Sequence, residues 1–199
     1  MHKSWGNAIE FNEGADKIGV DVMRWMYVTQ DPEQNLLFGF HRADETRRRF
    51  HLILWNVYNF FVTYANADGF KPKKSSTSSK NVLDRWILSR LNGTIRVVTS
   101  SLEKYDAQTA SLAIEGFVSD LSLWYVRRSR NIVGPSAEDE KDKLQTYTTL
   151  CRVLVEFCKI MAPFTPFISD EIYKNLTSDD SVHLTDWPMF NSNLLNKKL

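Results

Sequence analysis

From Ala43 to Ala67 the large apolar residues fall at Phe50, Ile53, Leu54, Val57, Phe60, Phe61 and Tyr64. Steps of three and one make a single stripe along a helix of period 3.6; a strand would send successive side chains to opposite faces. Asp68-Gly69 supplies the stop. A stripe that long has to be covered, and the rest of the chain supplies matching faces. Leu83, Ile87, Leu91, Ile95, Val98 and Leu102 predict a helix over about 82–104. Ala110, Ile114, Phe117, Leu121 and Tyr125 predict a second, opened by Asp106 as a cap and running to about 131. Leu144, Tyr147, Leu150, Leu154, Phe157 and Met161 face inward from a third, over about 136–161. Thr165-Pro166, a cap followed by proline at the first helical position, opens a shorter one to about 176. Short turns between long amphipathic helices favour an antiparallel bundle.

The segments around this set are less regular. Gly19 and Asp21 frame a short helix over Val22–Thr29, apolar nearly all round and so expected buried, with Asp21 as its cap; Asp31-Pro32 ends it. Leu36-Leu37-Phe38-Gly39-Phe40 reads as a short buried strand or extended run. Residues 71–80, with Pro72 their only apolar residue, read as a linker that cannot pack, and they mark the expected domain boundary. The tail 181–188 reads as extended and partly apolar.

Composition removes several classes. None of the apolar runs among the 199 residues approaches the length of a membrane span. The N-terminus has no apolar core and no small-residue cleavage site of a secretory signal. Cys151 and Cys158 are too far apart for a disulfide and too few for a zinc site, and read as small core residues. The net charge of +1 weighs against a polycationic nucleic-acid coat, yet residues 71–104 hold 8 basic and 2 acidic side chains. Lys71, Lys73, Lys74 and Lys80 lie in the linker, with Arg85, Arg90 and Arg96 on the helix after it.

Self-contained catalytic signatures are missing. There is no Gly-x-Gly, no phosphate loop and no Gly-x-Ser-x-Gly elbow, and His2, His41, His51 and His183 lack metal-type spacing. Two places carry chemistry of another kind. Lys3 and Ser4, followed by Gly6-Asn7, offer a cation, a hydroxyl and backbone N–H groups suited to a polyphosphate. Trp124 and Tyr125 precede Arg127, Arg128 and Arg130 at one helix end. Arginine forks to phosphate and exposed aromatic rings stack bases, while helix-end cations and core aromatics would give the same string for structural reasons. Arg47-Arg48-Arg49 lacks an aromatic platform and reads as a solvated face.

In order, these pieces resemble one family. Met1-His2-Lys3-Ser4-Trp5-Gly6-Asn7 resembles the Lys-Met-Ser-Lys-Ser loop of class I aminoacyl-tRNA synthetases, and Gly19-Val20-Asp21-Val22-Met23-Arg24 the Gly-Ala-Asp-x-x-Arg segment downstream of it. Leu83-Asp84-Arg85-Trp86-Ile87-Leu88-Ser89-Arg90-Leu91 resembles the opening of the family's helical anticodon-binding domain. The string 120–130, with 161–173 and Ser181-Val182-His183-Leu184-Thr185-Asp186-Trp187-Pro188, is similar to the isoleucyl branch, with the valyl branch as runner-up. The chain departs from the family in several ways. The first Lys of the loop is absent, and His2 stands where the family has serine. The His-x-Gly-His motif, most of the nucleotide-binding fold and the editing domain are also absent, so the chain resembles a C-terminal fragment of a larger synthetase.

The resemblance implies a mainly α protein of class Ia type: a small mixed α/β stem-contact fold at 8–70, then an antiparallel helical bundle at 81–199 that binds the anticodon. Residues 1–7 would end the catalytic signature loop. The parent enzyme would activate isoleucine with ATP and Mg and charge tRNA(Ile), with Lys3 and Ser4 on the ATP phosphates. Arg127, Arg128, Arg130, Trp124, Arg85 and Arg90 would contact RNA. The chain alone is expected to be catalytically inactive, monomeric, cytoplasmic and without membrane contact. A helical RNA-binding module without a catalytic parent, or a purely structural bundle, are the competing readings.

Overall fold

The computed structural model describes residues 8–72, 79, 81–134, 137 and 139–195. Nine α-helices are formed among them: α1 (Phe11–Ile18), α2 (Val20–Val28), α3 (Phe40–Thr46), α4 (Leu52–Ala67), α5 (Val82–Leu102), α6 (Ala107–Asp120), α7 (Arg127–Val133), α8 (Glu140–Met161) and α9 (Pro166–Thr177). A π-helical turn, Arg47–His51, joins α3 to α4, and a second, Leu121–Val126, joins α6 to α7. The backbone N–H of Leu52 reaches back five residues to Arg47, and that of Arg127 to Ser122. α5 packs along α6 and α8, and α8 along α9, which is the expected bundle. No helix among the described residues is long and apolar enough to cross a membrane.

The stripes predict the core well. Phe50, Leu54, Val57 and Phe61 are buried, as are Ile87, Leu91, Ile95 and Val98, Ala110, Ile114, Phe117, Leu121 and Tyr125, and Tyr147, Leu150, Leu154, Phe157 and Met161. They form one continuous cluster that joins α4 to the bundle. A smaller cluster of Ile18, Val22, Met26 and Ala43 holds α1, α2 and α3 together. Cys151 and Cys158 are both free and buried, and burial raises the Cys151 thiol to about 11.

Five expectations are corrected. No strand forms among the described residues, so the mixed α/β character of 8–70 is not seen there. Residues 35–38 are extended but have no ladder partner; Leu37 is 69% exposed, and Phe40 instead starts α3. Leu144 is 49% exposed: at the start of α8 the preceding Lys143 takes the buried position instead and pairs with Asp68 at 2.8 Å. The linker end does pack: Ser79 is buried and donates to Asp84 at 2.7 Å.

The fifth is Asp21, expected to cap its own helix. It caps no helix of its own, since α2 follows Gly19 directly at φ 90°. Its carboxylate accepts from the backbone N–H groups of Ile168 (2.7 Å) and Phe167 (3.4 Å), at the start of α9. One turn later, Arg24 donates to the carbonyls of Pro163 (2.7 Å) and Phe164 (3.0 Å). An anion therefore meets the positive end of α9, and a cation meets the carbonyls just beyond α8. At the other end of α2, the Ser111 hydroxyl donates to the Val28 carbonyl at 3.0 Å. α2 is thus fixed to the bundle at both ends.

The tail straps α5. Asn92 and Asn191 exchange two hydrogen bonds, at 2.6 and 2.8 Å, and the Trp187 indole donates to Thr99 at 2.8 Å. Arg96 lies over the Phe190 ring.

Candidate functional site

The N-terminal turn of α5 and the π turn after α6 meet at a buried carboxylate. Asn81 caps α5 through its side chain, which accepts from the Leu83 N–H at 2.8 Å. Asp84, one turn in, is only 1% exposed and accepts from the Tyr125 hydroxyl at 2.6 Å as well as from Ser79. Burial, then the neighbouring Asp84 charge, raises the Tyr125 hydroxyl well above its ordinary value, so it keeps its proton and stays a donor.

The π turn gives α6–α7 one extra residue in a turn, and this rotates the residues beyond it about the helix axis. Tyr125 and Val126 both enter the core, while Trp124 is left 50% exposed. The Arg128 guanidinium lies 4.7 Å from the centre of the Trp124 ring, a cation–π contact one turn on. Trp124 and Arg128 form one wall of an open recess of about 420 Å³; Asn81, Val82, Leu83 and Trp86 form the other. Its chemistry is two indoles, aliphatic surface and one guanidinium. That set suits a planar, π-rich group carrying a nearby negative charge, which is what an unstacked nucleotide presents.

Arg127 and Arg130 are exposed on the same short helix, and Arg85 is exposed beside the recess-lining Trp86 in sequence. Among the described residues none of the three has an ion-pair partner. Arg90 differs: Nε (2.8 Å) and Nη2 (2.5 Å) both donate to one oxygen of Asp120, so this arginine braces α5 against α6. Lys3 and Ser4 lie outside the described residues. Trp86 does not stand out in the sequence; its signal is the position two residues after Asp84, within the helix-opening motif.

The arginine run 47–49 is not simply a solvated face. Arg47 pairs with Asp44 and donates to the Ile18 carbonyl at 2.8 Å, and Arg49 pairs with Glu115 at 2.6 Å. Arg47 ties the π turn to the end of α1, and Arg49 ties it to α6 of the bundle. His51, on the adjoining π turn, is buried with neither ring nitrogen hydrogen-bonded, and burial lowers its pKa to about 4. No group of three or more His, Cys, Asp or Glu among the described residues is placed to hold a metal ion.

Residues 84–199 match the family described as the anticodon-binding domain of tRNA ligase. Over its whole length the chain is 42% identical to an isoleucine–tRNA ligase of Clostridium tetani, 43% to one of Dehalococcoides mccartyi and 41% to one of Deinococcus radiodurans. It spans about a fifth of each: 20%, 20% and 19%. The fold resembles the LeuRS of Agrobacterium radiobacter K84, solved in a ternary complex with tRNA and LeuAMS. The TM-score is 0.67 at 19% identity, over 98% of this chain and 23% of that one. The matched segment covers more than half of the chain and contains both recess-lining tryptophans, and the chain therefore belongs to the family of tRNA-ligase anticodon-binding domains.

Proposed function

We propose that this chain is the tRNA-binding portion of an isoleucine–tRNA ligase, and that the recess between Trp86 and Trp124 takes an unstacked base of the anticodon loop. The observation that carries this reading is Trp124: a half-exposed indole, with Arg128 over it and Arg127 and Arg130 beside it, in a bundle of this family. A core role would have buried the indole, and a purely structural arginine would have found a carboxylate or a backbone carbonyl, as Arg90 and Arg24 do. Phosphate contacts by the arginines position the RNA, and the indoles stack on the base. Residues 8–70 would support the stem in the manner of a stem-contact fold.

In the whole ligase, isoleucine and ATP with Mg would be the substrates, and Lys3 and Ser4 would lie on the ATP phosphates as the resemblance of residues 1–7 implies. The remaining four fifths of the relatives' length would carry the rest of the catalyst. The chain by itself is then expected to give no ATP–pyrophosphate exchange.

Titrating the chain with a tRNA(Ile) transcript at low salt tests the proposal. Weak, salt-sensitive binding is expected. The double variant R127E/R128E should lower the affinity by about tenfold or more while its circular dichroism stays helical. Equal affinity in the folded variant would contradict the assignment.

A further inference from the structure

The two walls of the recess belong to different helices, and something must hold them at a fixed separation. Leu83 and Trp86 come from the first turns of α5; Trp124 and Arg128 come from the π turn and α7. Asp84 lies between Leu83 and Trp86 in sequence, and Tyr125 comes directly after Trp124. Their side chains turn inward and meet at 2.6 Å in a fully buried position. The second oxygen of Asp84 takes the Ser79 hydroxyl at 2.7 Å, and the Ser79 oxygen in turn accepts from the Asn81 N–H at 3.1 Å. One carboxylate therefore ties together the α5 wall, the Trp124 wall and the rim residue Asn81.

We propose that Asp84 and Tyr125 are positioning residues of the RNA-base recess, and that their hydrogen bond sets the gap into which a base enters. This rests on the base-stacking reading of the recess. An unpaired carboxylate among exposed arginines would repel RNA; buried and doubly hydrogen-bonded, Asp84 presents no such charge at the surface. Deleting the Tyr125 hydroxyl leaves the ring in its core position but releases the link between the walls. The stacking gap then widens or closes, whereas Arg85, Arg127 and Arg130, which do not line the recess, are untouched. Base recognition should therefore fail before backbone binding does.

The test uses the full 199-residue chain and two RNA hairpins, the anticodon stem-loop of tRNA(Ile) and the same hairpin with an abasic loop. The wild-type chain should bind the base-bearing hairpin about tenfold tighter than the abasic one. Y125F should cut that ratio at least threefold and leave the abasic affinity unchanged. D84N, a second route to the same loss, should act in the same direction. The abasic affinity is the internal control, since general loss of structure would lower both affinities together. A ratio that stays at its wild-type value in both variants overturns the inference and leaves the stacking reading standing. A wild-type ratio near one overturns the stacking reading and this inference with it.

Discussion

The molecule uses a tryptophan beside a π turn in two regions, to opposite ends. At the seam between the N-terminal helices and the bundle, Trp25 is fully buried and stacked 3.9 Å from the Phe50 ring, which the turn Arg47–His51 directs inward. At the recess, the turn Leu121–Val126 leaves Trp124 half in solvent beneath an arginine. The arginines divide the same way. Arg24, Arg47 and Arg49 are consumed by carbonyls and carboxylates of the protein, whereas Arg127 and Arg130 have no ion-pair partner among the described residues. Residue type alone does not mark a binding face. What marks it is an aromatic ring and cations that the fold had the means to satisfy internally and left open.

The largest effect that could break this contrast is on stability. W25A removes a buried indole and should destabilise the chain by about 3–5 kcal/mol in urea unfolding. W124A should cost well under that and should instead weaken tRNA(Ile) binding by about 1–3 kcal/mol. If the two variants changed stability equally, the distinction between seam and recess would fail.

The seam also carries a pH signature. Burial, and then the charge of Arg47, lowers the His51 pKa to about 4 from 6.5. Above pH 6.5 the ring is neutral in both folded and unfolded chains. As pH falls from 6.5 toward 4 the unfolded chain takes up a proton that the folded chain refuses, so stability is lost across that window. A gap of this size corresponds to about 3 kcal/mol in full. His51→Phe should flatten the decline measured by thermal unfolding between about pH 7 and pH 4; an unchanged slope would show that other groups dominate it.

The smallest effect separates the polar contacts. D21A removes the cap of α9 and should cost about 1 kcal/mol. R127A should leave stability within about 0.5 kcal/mol, as expected for an exposed side chain without an ion-pair partner among the described residues. Urea midpoints of the two variants measure the difference.

Much of the fold was legible in the sequence because burial follows a helical stripe. Phe50 through Phe61, Ile87 through Val98 and Ala110 through Tyr125 are placed by spacing alone. The failures have a common cause, which is that their partners are distant in sequence. A run such as 36–40 is a strand only if another strand pairs with it, and none is described. Asp21 reads as a local cap, but the free N–H groups it satisfies lie 147 positions away at Ile168. Within the site, Trp124 and Arg128 were visible as a string, but Trp86 and the role of Asp84 were not. Arg90 and Arg128 are alike in sequence; only the proximity of Asp120 shows that one is occupied. The π turns were invisible too, since one extra residue in a turn barely disturbs a stripe of this length.

The most direct test of the central claim is to irradiate the chain bound to tRNA(Ile) and map the protein–RNA crosslinks by mass spectrometry. The account predicts adducts at Trp86 and Trp124, joined to nucleotides of the anticodon loop. Adducts confined to other exposed aromatics such as Tyr27 and Trp55, with Trp86 and Trp124 unmodified, would contradict it.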